Sequence, residues 1–343
     1  MQLGKRLSLF PGIALVVAVV VQVLLLLAIC RSATGSQKIT IAVKTSQKNH
    51  KSRIALLLRT WLSESQSSAY VFTDAEDTVL SDALDDRVFV TDCGQSHQRA
   101  DLCCKTWRII DWYVTRWATT TSTTAATGVQ AAEAAVAGQN GDADDRWLCL
   151  VDDDTYVNIP VLQTVLENAA RTSSTSNSNG KPSPYLYVGK PSVAGKLSLP
   201  PMFRMNYGDA PIDKYWFGTG GAGVCMNLAV ARRLHAFIVG MNKTLVTLCG
   251  ETGCPDDMTL GVVMEVLLGV PLRVSTKLHS HLESLRSIGD PTQEATLSYN
   301  AGAKYTNTVN AERLSKALPV SEDPSRLLSV HCSIHPTLEW CPH

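Results

Sequence analysis

The stretch Val151-Asp152-Asp153-Asp154-Thr155-Tyr156-Val157 decides how the rest of the chain is read. Three carboxylates stand together where the apolar run Trp147–Val151 stops. Adjacent acids repel one another, at a cost that grows as water is excluded. One reading is a solvated acidic loop or a helix cap, where Asp clusters commonly lie. The other is a divalent cation site, since hard oxygen ligands suit Mg²⁺ or Mn²⁺. The position favours the second reading, because ligands of α/β proteins sit at the carboxyl ends of strands.

Working outward, the strand that delivers the acids has company. Ile39–Val43, Ala69–Thr73, Arg87–Thr91 and Tyr185–Gly189 read as further short strands. Ile54–Trp61, Cys104–Trp117, Asn158–Arg171 and Asn227–Phe237 carry apolar residues at helical spacing. Strands alternating with helices predict an α/β fold with a mostly parallel central sheet and covering helices. Two stretches interrupt the pattern. Residues 119–145 are rich in Thr, Ala and Gly, and residues 172–184 in Ser, Asn and Pro. Both read as inserts rather than as catalytic segments.

The 343 residues are enough for a large core. Lys plus Arg number 31, as do Asp plus Glu, so bulk charge points to no nucleic-acid partner. Gly12 to Cys30 has Gln22 as its only polar side chain. At about 1.5 Å per residue this run reaches roughly across a bilayer core. Lys5 and Arg6 precede it, which places the N-terminus in the cytosol and the remaining chain in the lumen. A cleaved signal peptide is the rival, but the run exceeds a usual signal core. The expected order is a cytoplasmic tail at 1–11, a signal-anchor transmembrane helix at 12–30, a short stem at 31–37, and a lumenal domain at 38–343. Of ten cysteines, nine follow Cys30 and would meet an oxidising space. No C-x-x-C pair appears, which argues against a zinc cluster. Asn242-Lys243-Thr244 is the one glycosylation sequon.

The second half carries more chemistry. Trp216 to Gly223 runs apolar and then glycine-rich, either a tight turn or a close backbone approach to a ligand. It is neither a Walker A loop nor a dinucleotide fingerprint, since the spacing is wrong. Asp256 and Asp257 form a second acidic pair at the start of a helical pattern that runs through Leu268. They read as helix caps or as catalytic acids. His279 and His281 alternate along Leu272–His281 and would share one strand face. If one Asp of the triplet and one His hold a cation, the positions left open suit two oxygens of a diphosphate. A separate carboxylate can then take a proton from an attacking hydroxyl. That combination is glycosyl transfer from a sugar nucleotide, with inversion. A glycosidase would use two acids without a metal, and a two-metal phosphatase would want more ligands.

On these residues the chain resembles the Fringe glycosyltransferases. The matching segments are Ile41–Thr45, His50–Arg53, Thr60-Trp61, Val71–Asp74, Val151–Asp154 with Tyr156–Asn158, and Val188–Ser192. They continue through Trp216–Gly223, Pro255–Asp257 and His279–Glu283, and end at Glu322–Arg326, His331-Cys332 and Trp340–Pro342. The resemblance implies a GT-A, Rossmann-like fold and a Golgi β-1,3-N-acetylglucosaminyltransferase of type II membrane topology. The implied donor is UDP-GlcNAc, with Mn²⁺ as cofactor. The implied acceptor is the 3-hydroxyl of O-linked fucose on EGF-like repeats of Notch-type receptors. By the same resemblance Arg53 and Asp153 would bind the donor, Asp154 and His281 would hold Mn²⁺, and Asp257 would be the base. It implies the disulfides Cys93–Cys104, Cys149–Cys225 and Cys332–Cys341. Cys249 and Cys254 are extra and close in sequence and are expected to pair, leaving Cys103 free. Two other readings remain. One is a related enzyme that moves galactose or glucose, or uses another acceptor. The other is a non-catalytic lumenal glycan-binding protein.

Overall fold

The computed structural model describes residues 38–65, 68–96, 98–117, 146–172, 183–208, 212–301 and 305–342. Its frame is a seven-stranded sheet. The strands in chain order are β1 (Lys38–Lys44), β2 (Ala69–Thr73), β3 (Val88–Val90), β4 (Arg146–Asp152), β6 (Tyr187–Gly189), β7 (Val224–Asn227) and β8 (Leu272–Val274). A short β5 (Thr155–Val157) follows β4 but joins another sheet. Across the large sheet the order is β8-β6-β7-β4-β1-β2-β3. Only β7 runs against its neighbours β4 and β6, so the sheet is mostly parallel.

The strands are apolar because both faces are covered. Ile41, Val43, Trp147, Cys149 and Val151 pack on one side with Leu57 and Trp61 and with helix α2 (Ile159–Arg171). Ala42, Leu148 and Met226 point the other way. They meet Trp107, Ile110 and Tyr113 of α1 (Arg99–Arg116) and Leu234 and Ile238 of α3 (Leu228–Gly240). Alternate residues of one strand thus feed two cores, as the two-residue period requires.

This arrangement corrects one part of the expected fold. Among the described residues no helix is long and apolar enough to cross a membrane. The longest, α1, has 18 residues but includes Arg99, Asp101, Lys105, Arg108, Asp111 and Arg116. Among the described residues the fold is mixed α/β with a mostly parallel central sheet, and the transmembrane helix expected with it is not found there. The expected tail, anchor and stem at 1–11, 12–30 and 31–37 lie outside the described residues. So does the 119–145 insert, and so does most of 172–184.

The cysteine pairing also differs from expectation. Cys93 joins Cys104, Cys149 joins Cys225 across paired strands β4 and β7, and Cys332 joins Cys341. Cys103, expected free, joins Cys249 over a separation of 146 residues. Cys254 is left as a buried free thiol, so the expected Cys249–Cys254 clamp does not form. The reason is packing. Cys103 lies on the buried face of α1, and α4 (Leu245–Thr252) packs there with Cys249 turned inward. Gly253 then takes a left-handed cap (φ 71°) that turns the chain away before Cys254.

Candidate active site

Parallel register brings the ends of three strands together. Lys44 pairs with Asp152 across β1 and β4, and with Phe72 across β1 and β2. The residues just beyond these ends, Thr45, Asp153 and Asp74, therefore lie at one edge of the sheet, where α/β proteins place ligands. A cleft of about 380 Å³ opens there. Its walls include Asn49, Arg53, all three acids of the triplet, Gly220, Asp257 and His281.

The three acids are not equivalent. Asp153 is fully engaged. Its Oδ2 accepts from Thr45 Oγ1 (2.6 Å) and Asn49 Nδ2 (2.8 Å), and its Oδ1 from Arg53 Nη1 (2.8 Å). Asp154 receives Ser298 Oγ on Oδ1 at 2.9 Å, and Arg53 Nη1 lies 3.2 Å from its Oδ2. Burial and then the Asp152 charge push the Asp154 carboxyl up to about 7, although Arg53 and Ser298 oppose this. Asp152 stands 3.6 Å from Lys44 Nζ, and burial raises it as well.

A second, smaller sheet carries the partner of Asp154. It comprises β9 (Leu278–His279), β10 (Thr296–Ser298) and β5, and it pairs Ser298 with Thr155. The chain then places His281 two residues past β9, with Nδ1 3.1 Å from Ser298 Oγ. The single hydroxyl proton of Ser298 serves Asp154, so Ser298 accepts the Nδ1–H of His281. That tautomer leaves the lone pair of His281 on Nε2. Burial lowers the His281 pKa, which keeps the ring neutral.

His279 behaves differently from the sequence expectation. The strand ends at His279, so the two histidines do not share a strand face. His279 is buried, with Nε2 3.0 Å from Glu294 and Nδ1 3.3 Å from Glu283. It is a structural residue.

The second acidic pair also divides. Both residues open α5 (Asp256–Gly261), whose N-cap is Pro255. Asp256 accepts from Lys44 Nζ and Thr106 Oγ1, each at 2.5 Å. Its burial favours the neutral acid, but the Lys44 charge outweighs this and holds the carboxyl below its usual range. Asp257 accepts the backbone N–H of Met258 on Oδ1 (2.7 Å) and of Gly220 on Oδ2 (3.2 Å). Burial and the neighbouring Asp256 push it up to about 6. Capping and orientation thus coincide, since one oxygen serves the helix start and the other the glycine-rich run.

That run is a turn with a function in placement. Gly220–Ala222 forms one 3₁₀ turn, and Gly223 follows at φ 85°, where a side chain would be strained. A Cβ on Gly261 would sit 2.4 Å from Phe217 Cβ. Glycine at that point lets α5 lie directly against the run, which brings Asp257 to Gly220.

Arg53, Asp153, Asp154, His281 and Asp257, all expected at the site, therefore line one cleft. Ser298, Asn49, Thr45 and Lys44 complete it and had no assigned role. Nothing local marks them, because each acts only through a residue far away in sequence. The sequon residue Asn242 lies elsewhere, exposed in the turn between α3 and α4.

The chain is similar to known proteins along most of its length. The chain matches the family described as Fringe-like over residues 34–338. It is 33% identical over 313 residues to the β-1,3-N-acetylglucosaminyltransferase lunatic fringe of Danio rerio, covering 90% of this chain and 71% of the relative. The human protein of that name is 33% identical, with 88% and 68% covered. Radical fringe of Notophthalmus viridescens is 31% identical, with 91% and 68% covered. The chain belongs to the Fringe-like family.

Proposed function

We propose that this protein is a β-1,3-N-acetylglucosaminyltransferase that moves GlcNAc from UDP-GlcNAc to the 3-hydroxyl of fucose O-linked to an EGF-like repeat, with inversion. One observation carries the reading. A hydroxyl-linked pair, Asp154 and His281, shares its cleft with a separate raised carboxylate, Asp257. The relatives named above support the donor sugar and the linkage. Notch-type receptors are the proposed acceptor proteins, and the four disulfides support an oxidising compartment such as the Golgi lumen.

The residues fit a divalent cation. Asp154 offers a carboxylate oxygen, and His281 offers a neutral Nε2 because Ser298 occupies Nδ1. Mn²⁺, when bound by these two residues, would supply positive charge against the leaving diphosphate. Arg53 extends from the π-helical turn His50–Ile54, fixed by Asp153, and places a second positive charge at the donor side. Asp257 is held on two sides by backbone N–H groups, so its orientation is set before an acceptor arrives. A carboxyl near pH 6 is ionised at neutral pH yet more basic than an ordinary Asp, which suits removal of a hydroxyl proton.

The test is a transfer assay on fucosylated EGF repeats with UDP-GlcNAc, UDP-galactose and UDP-glucose, each with Mn²⁺ and with chelator. Metal-dependent transfer from UDP-GlcNAc supports the reading. Preference for another donor, or turnover indifferent to chelator, overturns it.

A further inference from the structure

We propose a second metal site, formed by Glu64, His331 and His335, that takes a borderline divalent ion of the zinc type. These residues lie outside the cleft described above. Glu64 ends the short helix Trp61–Glu64, whose Trp61 indole donates to the Thr155 carbonyl of β5. His331 belongs to α6 (Leu327–Ile334), and His335 is its C-cap, one turn later. Side chains four residues apart on a helix share one face. One ligand atom from each residue lies within 4.8 Å of the others.

Two of the separations, one to each oxygen of Glu64, are close to the edge of a tetrahedral ion, and the two imidazole rings lie 4.7 Å apart between centroids. His331 Nε2 is 3.2 Å from Glu64 Oε1, and His335 Nε2 is 3.6 Å from Glu64 Oε2. Bonds of about 2.0–2.1 Å to Zn²⁺ imply ligand-to-ligand edges of about 3.3 Å. Two imidazoles and one carboxylate suit zinc, whereas Mg²⁺ and Mn²⁺ favour sets richer in oxygen, such as one carboxylate with diphosphate oxygens. Three protein ligands leave one position for water.

The surroundings position the ring of His331. Its Nδ1 lies 2.9 Å from Tyr156 OH, and Trp340 stacks on it with centroids 5.8 Å apart. The Cys332–Cys341 disulfide ties the Trp340 segment to α6. A metal-bound Nε2 requires Nδ1–H to donate outward, and Tyr156 OH is a suitable acceptor. Simple hydrogen bonding is the competing account. It explains His331, whose Nε2–H would donate to Glu64. It accounts for His335 only as a protonated ion pair at 3.6 Å, whereas a shared ion holds the neutral ring on the same carboxylate. Because Tyr156 follows Asp154 by two residues, an ion here would also brace β5 behind the acidic triplet.

The test is equilibrium dialysis of the full chain against Zn²⁺, with bound metal measured, in an Asp154→Asn background that disables the cleft. One equivalent of Zn²⁺ should remain, and Co²⁺ in its place should show visible absorption of a low-coordinate nitrogen–oxygen site. Adding His335→Ala or Glu64→Gln should weaken Zn²⁺ binding at least 100-fold while the circular dichroism spectrum is unchanged. Both side chains are exposed enough for the variants to fold. No retained zinc in the Asp154→Asn protein, or equal retention after His335→Ala, overturns the proposal. Neither result bears on transfer of GlcNAc, which is measured separately.

Discussion

Asp154 and His281, 127 residues apart in numbering, meet at one hydroxyl: Ser298 Oγ stands 2.9 Å from Asp154 Oδ1 and 3.1 Å from His281 Nδ1. The serine sets both the carboxylate rotamer and the histidine tautomer. Ser298→Ala should therefore weaken apparent Mn²⁺ affinity by about 10–100-fold, the usual effect of losing an outer-shell partner. Manganese titration of transferase activity measures it. The KM for acceptor should not move, and a large change there would mean that Ser298 acts elsewhere.

In the proposed function Asp257 is the base that removes the acceptor proton. Asp257→Asn keeps size and shape but removes the basic oxygen, so kcat should fall by about 100-fold or more. Donor binding, read by UDP titration, should be retained. An equal loss in the binding of UDP would place Asp257 on the donor instead.

The same group sets an acid limb. Its pKa is raised to about 6, and a base must be ionised to act. As pH falls through 6, activity should decline towards tenfold per pH unit, whereas an ordinary Asp would hold the rate down to about pH 4. A pH profile of kcat, flat between 5 and 7, would contradict this.

Lys44 is buried between two carboxylates, 2.5 Å from Asp256 and 3.6 Å from Asp152. Burial alone would lower its pKa, but Asp256 and Asp152 overcome this and hold it raised. Lys44→Met should destabilise the fold by about 3–5 kcal/mol, because it strands a buried charge. The variant should regain part of this at low pH. Asp256 is held below its ordinary pKa by Lys44, so that contribution exists at neutral pH and fades as pH falls through the depressed pKa. Thermal unfolding from about pH 2 to pH 8, which extends below the ordinary Asp range, checks both statements.

Cys103 and Cys249 close a loop of 146 residues. Replacing both by Ser should cost about 3–5 kcal/mol if chain entropy dominates. Peptide mapping without reduction should recover the Cys103 and Cys249 peptides joined. A Cys249–Cys254 peptide would refute the observed pairing.

Much of the frame was legible in order. Trp147–Val151 reads as a buried strand and the observed β4 spans Arg146–Asp152, because an apolar run that ends in acids has few other places to go. Ala69–Thr73 and Asn158–Arg171 were likewise found within one residue. The local pattern misleads where an element depends on a distant partner. Leu272–His281 looked like one alternating strand, yet it breaks after Val274 and resumes only at Leu278 to pair with Thr296. Cys249 and Cys254 were near in sequence, but the helix end at Gly253 points them apart.

By itself the sequence determined the chemistry available: a triplet of acids after a strand, a second acidic pair, a glycine-rich run, two histidines and the segments that mark the family. Those features are local, set by residue type and spacing. Only the tertiary structure decided which partners each acid meets. Parallel register set Lys44 beside Asp152, and helix packing brought Asp256 to the same lysine. A small second sheet carried Ser298 to Asp154 and His281. Charges that look alike in sequence become unlike once buried, because each carboxylate then depends on the few partners that the fold brings within hydrogen-bond reach.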